Sequence, residues 1–253
     1  MKLKITFLGT GTSTGNPELL CNCKVCTSKD KKDWRLRSSI LIETQNRNIL
    51  IDCGPDFRVQ ALCNNTQFLD GVLLTHEHYD HVGGLDDLRP FCKHESVSIY
   101  AEEYVTEAIR QRIPYAFREN KYPGVPDLNL IPINLNSFEI KGVEIIPIRL
   151  LHGKLPILGY RIDNVAYLTD VKYIPEEELK KLQNLDVLII SALRSEEHIS
   201  HQTIQSALSY IEQIKPKHSY LIHMSHHFGL HAEMEKLMPE NVTISYDGLE
   251  IIL

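Results

Sequence analysis

The sequence predicts an α/β chain of two mixed sheets with helices outside, and three observations carry that expectation. Strand-like runs fill both halves, roughly 1–135 and 136–253, and each half also holds helical stretches. Apolar runs end repeatedly in a histidine or a carboxylate, as in α/β sheets that hold a site at their strand ends. No Pro/Ser-rich linker, charge block or internal repeat divides the sequence, so residues 1–253 read as one domain.

Leu3, Ile5 and Phe7 alternate within 2–8, the pattern of a first strand. It runs into Gly9-Thr10-Gly11-Thr12-Ser13-Thr14-Gly15, read either as a backbone phosphate cradle or as a tight turn beside the site. Cys21, Cys23 and Cys26 follow in a polar insert at about 20–36. That spacing resembles the start of a tetrahedral zinc site lacking its fourth ligand, with three unrelated thiols as the plain alternative. Residues 38–44 and 48–53 read as a hairpin turning at 45–47. Asp52 then either orients a ligand histidine or caps a helix opened by Pro55. A short helix over 56–65 leads to a buried strand from Gly71.

That strand delivers His76-Glu77-His78-Tyr79-Asp80-His81, followed by Val82-Gly83-Gly84. Four ligand-type side chains, His76, His78, Asp80 and His81, fall within six residues. One loop cannot turn all of them toward one ion, so two adjacent ions are expected, with His76 and His78 on one and Asp80 and His81 on the other. Imidazole suits Zn, Fe or Ni, and a carboxylate admits the harder Mn.

Further on, 85–92 and 102–112 read as helices and 97–101 as a strand. The aromatic stretch 113–124 is open to three readings: a lid, a subunit contact in a homodimer, or a surface connection. Residues 128–133, 137–140 and 143–150 read as antiparallel strands, with His152 just beyond. A hairpin of 158–162 and 165–169 ends at Asp170. Helical 175–182 and the buried strand 186–191 lead to a helix over 202–214, which Ser200 is expected to cap with His201 at its start. The strand 219–222 runs into His223, and a short helix, 232–238, precedes a closing hairpin around Asp247-Gly248.

Composition narrows the function. Apolar residues make 43% and charged residues 24%, an ordinary globular balance. Net charge is −6, so no global basic field draws in nucleic acid. A local patch of Lys29, Lys31, Lys32, Arg35 and Arg37 keeps RNA as a lesser alternative. No apolar run approaches the ~20 residues of a membrane span, so no membrane partner is expected. With no secretory h-region at the N-terminus, six cysteines read as reduced and the setting as cytoplasmic. Twelve histidines against one tryptophan suit a metalloprotein.

HxHxDH after a hydrophobic strand, followed by Gly-Gly, resembles the metallo-β-lactamase superfamily. With Gly9-Thr10-Gly11-Thr12, Cys21/Cys23/Cys26, Asp52-Cys53-Gly54-Pro55-Asp56-Phe57-Arg58, His201 and His223-Met224-Ser225-His226, the chain is similar to its phosphoribosyl 1,2-cyclic phosphate phosphodiesterase branch. The resemblance implies a four-layer αββα sandwich with two metals between the sheets, Mn²⁺ or Zn²⁺. It implies that His76, His78 and His152 hold one metal and that Asp80, His81 and His223 hold the other, with Asp170 bridging. It further implies a structural Zn²⁺ on Cys21, Cys23, Cys26 and His226, and His201 near the scissile phosphate.

The implied activity is hydrolysis of a small, cyclic phosphodiester by a hydroxide bridging two metal ions. Asp80 and Asp170 act there as ligands, and His201, if protonated, stabilises phosphoryl oxygens or protonates the leaving group. The rivals are two-metal hydrolysis of a thioester, lactone or lactam, an RNA-processing nuclease, and a diiron redox module. The last usually carries glutamate where this chain has His78.

Overall fold

A computed structural model describes residues 3–93 and 95–253. In chain order β1 (Leu3–Gly9), β2 (Ser39–Thr44), β3 (Arg47–Ile51), β4 (Gly71–Leu73), β5 (Val97–Glu102) and β6 (Leu128–Ile133) build one sheet. A second sheet holds β7 (Phe138–Ile140), β8 (Val143–His152), β9 (Leu155–Ile162), β10 (Val165–Leu168), β11 (Val187–Ser191), β12 (His218–Ile222) and β13 (Val242–Ile244). The last strand, β14 (Glu250–Ile252), returns to the first sheet beside β1. Both sheets mix parallel and antiparallel pairs. The expected first strand reached back to Lys2, which lies outside the described residues.

Period-two alternation explains the layering. Leu3, Ile5, Phe7, Ile40, Ile42, Ile49 and Ile51 meet Ile145, Leu158, Tyr160, Tyr167, Val187 and Ile189 in one buried core between the sheets. Alternate residues of the same strands, such as Leu8, Leu41 and Leu50, face outward and are covered with Phe57 and Val105 from α1 (Phe57–Cys63) and, past the four-residue α2 (Tyr79–Val82), α3 (Glu103–Arg112). Leu188 and Ile190 on the other outer face pack on Ile204, Ala207 and Ile211 of α4 (Ile204–Ile214), which precedes α5 (His231–Met234). Each such apolar side chain contributes roughly 1.5–3 kcal/mol of burial. The αββα sandwich is therefore a consequence of strands apolar on both faces.

Several local expectations are corrected. β6 pairs in parallel with β5, because the crossover through α3 returns the chain in the same direction. Leu85–Lys93 and Glu176–Leu182 wind as 3-10 turns, the first around Pro90, whose ring denies an α-helical hydrogen bond. The hairpin turn 45–47 tightens to Gln45-Asn46, both with positive φ, the two-residue connection that matches strand twist. Thr203, not Ser200, caps α4 by accepting the Ser206 N–H. The closing hairpin does not form. The Asp247 carboxylate accepts from the Thr10 hydroxyl (2.7 Å) and the Leu36 N–H (2.6 Å), drawing the chain across to the first sheet.

The Gly9–Gly15 stretch is the tight turn rather than a phosphate cradle. Its amides at Gly11, Thr12 and Gly15 donate to Leu36 O, Met224 O and Thr12 O. Segment 113–124 opens with a 3-10 turn, Pro114–Phe117, pinned when the Tyr115 hydroxyl donates to Asp86 at 2.7 Å.

Candidate metal centre

Three strand ends share one backbone device. Asp52 after β3, Asp170 after β10 and His223 after β12 have φ of 64°, 54° and 61°. A left-handed conformation is uncommon outside glycine and costs free energy, so its recurrence at three site positions marks a functional constraint. β8 supplies His152 as its last residue, and the loop beyond β4 supplies His76, His78, Asp80 and His81. Gly54 keeps that loop close to β3, since a Cβ there would collide with Asp80 O.

The side chains converge as two trios. His76, His78 and His152 offer ligand atoms within 4.8 Å of one another, and so do Asp80, His81 and His223. Asp170 lies between them: its Oδ2 is 3.2 Å from His81 Nε2, its Oδ1 3.2 Å from His223 Nε2, and it groups with His76 as well. The first four ligand candidates come from the first sheet and the other three from the second, so the site bridges the sandwich edge.

The hydrogen bonds settle which nitrogens face inward. The Thr75 hydroxyl and N–H donate to Asp52, so Thr75 Oγ1 accepts from His76 Nδ1 at 3.0 Å. His81 Nδ1 donates to Asp52 Oδ2 at 2.7 Å, and His152 Nδ1 donates to Ser200 O at 2.9 Å. Each of these rings is left with Nε2 toward the centre. Asp52 thus orients ligand-type residues and does not cap α1. Thr75 and Ser200 escaped the sequence reading: one acts through a hydroxyl that any strand threonine carries, the other through a main-chain carbonyl.

This donor set fits divalent cations. His76 Nε2 and His78 Nδ1 lie 2.9 Å apart, close enough for both to reach one cation. His81 Nε2 and both ring nitrogens of His223 are buried without a hydrogen-bond partner among the described residues. Burial pulls His76 and His152 below the ordinary imidazole range, which keeps them neutral as ligands must be. Burial also opposes charge on His81, yet Asp80, Asp52 and Asp170 outweigh it and push that ring well above its usual range. Three buried carboxylates demand positive charge here, and a metal pair is the chemistry that meets it.

His201 sits beside this centre. Its ring lies 4.5 Å from that of His152 and 5.0 Å from that of His223, and its Nδ1 is 3.7 Å from Asp170 Oδ1. It stands ahead of Thr203 rather than at the helix start, and burial pushes it down to about 3. Burial thus disfavours the protonated form on which the expected acid role of His201 depends.

A second cluster lies beyond β12. His226 Nδ1 is 3.1, 3.5 and 3.3 Å from the sulfurs of Cys21, Cys23 and Cys26. Burial opposes ionisation of Cys23, but the Cys26 N–H and neighbouring thiols bring it down to about 6. Three sulfurs and one imidazole at these spacings match a closed tetrahedral zinc site. Two members of the basic patch are taken up by the fold: Arg35 is buried against Thr10, Ser245 O and His231, and Arg37 pairs with Asp56 at 2.9 Å, while Lys29 and Lys31 stay exposed. Among the described residues no helix is long and apolar enough to cross a membrane.

Residues 47–224 match the family described as a beta-lactamase superfamily domain. A crystal structure of a diphosphatase from the PhnP family is 35% identical with a TM-score of 0.94, covering 100% of this chain and 98% of that one. Zn²⁺-bound PqqB from Methylobacterium extorquens shares the fold at a TM-score of 0.81 and 17% identity, over 98% and 99% of the two chains. A Porphyromonas gingivalis protein named octanoyltransferase is 49% identical over 99% of this chain, which spans 52% of that protein's length.

Proposed function

From a chain that belongs to the beta-lactamase superfamily, within its PhnP family, we propose a two-metal phosphodiesterase that hydrolyses a small, cyclic phosphodiester. The observation that carries this reading is the pair of trios sharing Asp170, with a further imidazole, His201, grouped with His152 and Asp170 at their rim.

In this reading His76, His78 and His152 hold one cation, Asp80, His81 and His223 the other, and Asp170 both; Mn²⁺ and Zn²⁺ each suit a mixed imidazole–carboxylate shell. When bound, such cations would supply Lewis-acid neutralisation of phosphoryl oxygens and a lowered pKa for a water they hold. Everything else falls to the chain. Asp52 and Thr75 hold His81 and His76 in the tautomers that aim Nε2 inward. Neutral His201 donates a hydrogen bond to a non-bridging or leaving oxygen, where charge grows during displacement. Cys21, Cys23, Cys26 and His226 hold a structural Zn²⁺ that ties residues 18–26 to the loop carrying His223.

The solved diphosphatase relative favours one second reading, a phosphoanhydride in place of the ester, since the same cradle serves a phosphate leaving group. The octanoyltransferase name belongs to a protein nearly twice as long and is not carried over.

The test is turnover of cyclic and linear phosphodiesters, diphosphates and a thioester by one metal-loaded preparation, with bound metals counted. Cyclic phosphodiester turnover with about three metals per chain is expected. Preference for the thioester overturns the proposal, and preference for diphosphates selects the second reading.

A further inference from the structure

The loop between β11 and α4, which carries His201, touches the metal centre through its own main chain. Ser200 O accepts both His152 Nδ1–H (2.9 Å) and Gly153 N–H (3.2 Å). The neighbouring Gln202 N–H donates to Val171 O at 2.7 Å, one residue beyond Asp170. The peptide joining Ser200 to His201 therefore fixes the His152 imidazole on one side and leads into the His201 imidazole on the other.

One side chain braces this loop from below. Lys172 stands two residues past Asp170, and its ammonium donates to His198 O at 2.8 Å and to Glu197 Oε2 at 3.0 Å. The Glu197 contact is to an exposed carboxylate and contributes little in water. The His198 carbonyl is the partner that matters, because it lies inside the turn closed by Ser200 N–H donating to His198 Nδ1 (3.3 Å). Arg194 stitches the same turn by donating to Glu197 O at 3.1 Å. With Lys172 in place, the His198–Ser200 turn is held against the segment that presents Asp170, and His201 follows it.

We infer that Lys172 is a positioning residue: by holding the His198 carbonyl it sets the distance of His201 from Asp170 and the centre, touching neither metal nor substrate. The inference rests on the phosphodiesterase reading for its kinetic consequence but not for its structural one. A small displacement of a group that acts on the reacting atoms is costly to turnover. Loss of the brace therefore acts on kcat, and the ligand set stays in place because His152 Nδ1 keeps a second acceptor, Asp170 O, at 3.1 Å.

The experiment compares Lys172→Met and Lys172→Arg with the wild-type holoprotein, each also in a His201→Ala background. Lys172→Met is expected to lower kcat roughly tenfold with KM changed by less than about twofold and bound metal unchanged. Lys172→Arg restores most of the loss. In the His201→Ala background Lys172→Met adds less than about twofold, the non-additivity expected of residues acting through one another. Amide exchange at Gly153 and Gln202 quickens in Lys172→Met whatever the substrate proves to be.

Equal losses in both backgrounds, or a rise in KM alone, overturn the inference by making Lys172 a substrate contact. Unchanged exchange overturns it outright. Quickened exchange in a protein that turns over no phosphodiester upholds the brace and rejects the phosphodiesterase reading instead.

Discussion

Asp52 shows how much of the centre depends on one carboxylate that no ion would touch. It is fully buried, accepts from His81 Nδ1 and from both donors of Thr75, and Thr75 in turn orients His76. Asp52→Asn keeps the shape but sets an amide where His81 Nδ1 needs an acceptor. Metal affinity or turnover should fall by about 10–100-fold, and metal titration of the variant checks this; wild-type affinity would show that the tautomer is set elsewhere. If His76 holds the first cation as proposed, His76→Ala should abolish turnover while circular dichroism stays native. His201 makes a pH prediction. Its folded pKa is depressed to about 3, so the ring is neutral throughout pH 5–8 and gains no proton in that window. The kcat/KM profile, which reports the free enzyme, should therefore keep its shape in His201→Ala although its height falls. An acidic limb near 6.5 that vanishes in the variant would assign titration to His201 after all.

Elements carry these residues because a strand end is a fixed point, and that is why much of the site could be read in advance. His76, His152, Asp170 and His223 each follow a run whose apolar alternation or burial is visible in the sequence, so order along the chain translated into place in space. What could not be read depends on contacts remote in sequence. The parallel pairing of β6 and the return of β14 to the first sheet are decided by tertiary partners such as Asp247 with Thr10. Thr75 and Ser200 carry no pattern of their own. The cysteine insert lies between these cases: three thiolates were legible, and the fourth position is supplied from 200 residues away at His226. Met224, between the two histidine positions, is clamped by its N–H donating to Thr10 O and its carbonyl accepting the Thr12 N–H. Cys23→Ser should thus lower the metal count from about three to about two and drop Tm by at least ~5 °C, since a structural zinc contributes folding free energy. A variant with full metal content and an unchanged melting curve would mean the four residues hold no ion.

At the scale of the molecule, the centre is a clasp between two sheets that otherwise meet through apolar packing. The first sheet provides His76, His78, Asp80 and His81, and the second provides His152, Asp170 and His223. Direct polar links also cross at this edge: Leu158 N–H donates to Thr75 O, the Tyr160 hydroxyl to Leu74 O, Met224 N–H to Thr10 O, and Arg149 pairs with Glu102. Asp80 and Asp170 are buried and held well below the usual carboxylate range, first against burial and then by His81 and His223. Without cations the imidazoles must carry the compensating charge, and His81 is driven to do so, at the cost of ligand geometry. Cations that bind this edge only when both sheets are in register stabilise the folded chain by mass action, about 2.7 kcal/mol at a hundredfold excess over Kd. Stripping the metals should therefore lower Tm in one cooperative transition and quicken amide exchange on both sides of the clasp, at Leu158 as well as His81. Re-addition of Zn²⁺ or Mn²⁺ should raise Tm with the logarithm of free metal concentration. A Tm independent of metal, or exchange that changes in one sheet alone, would show that the sheets close without the ions and that the ligands of one sheet suffice to hold them.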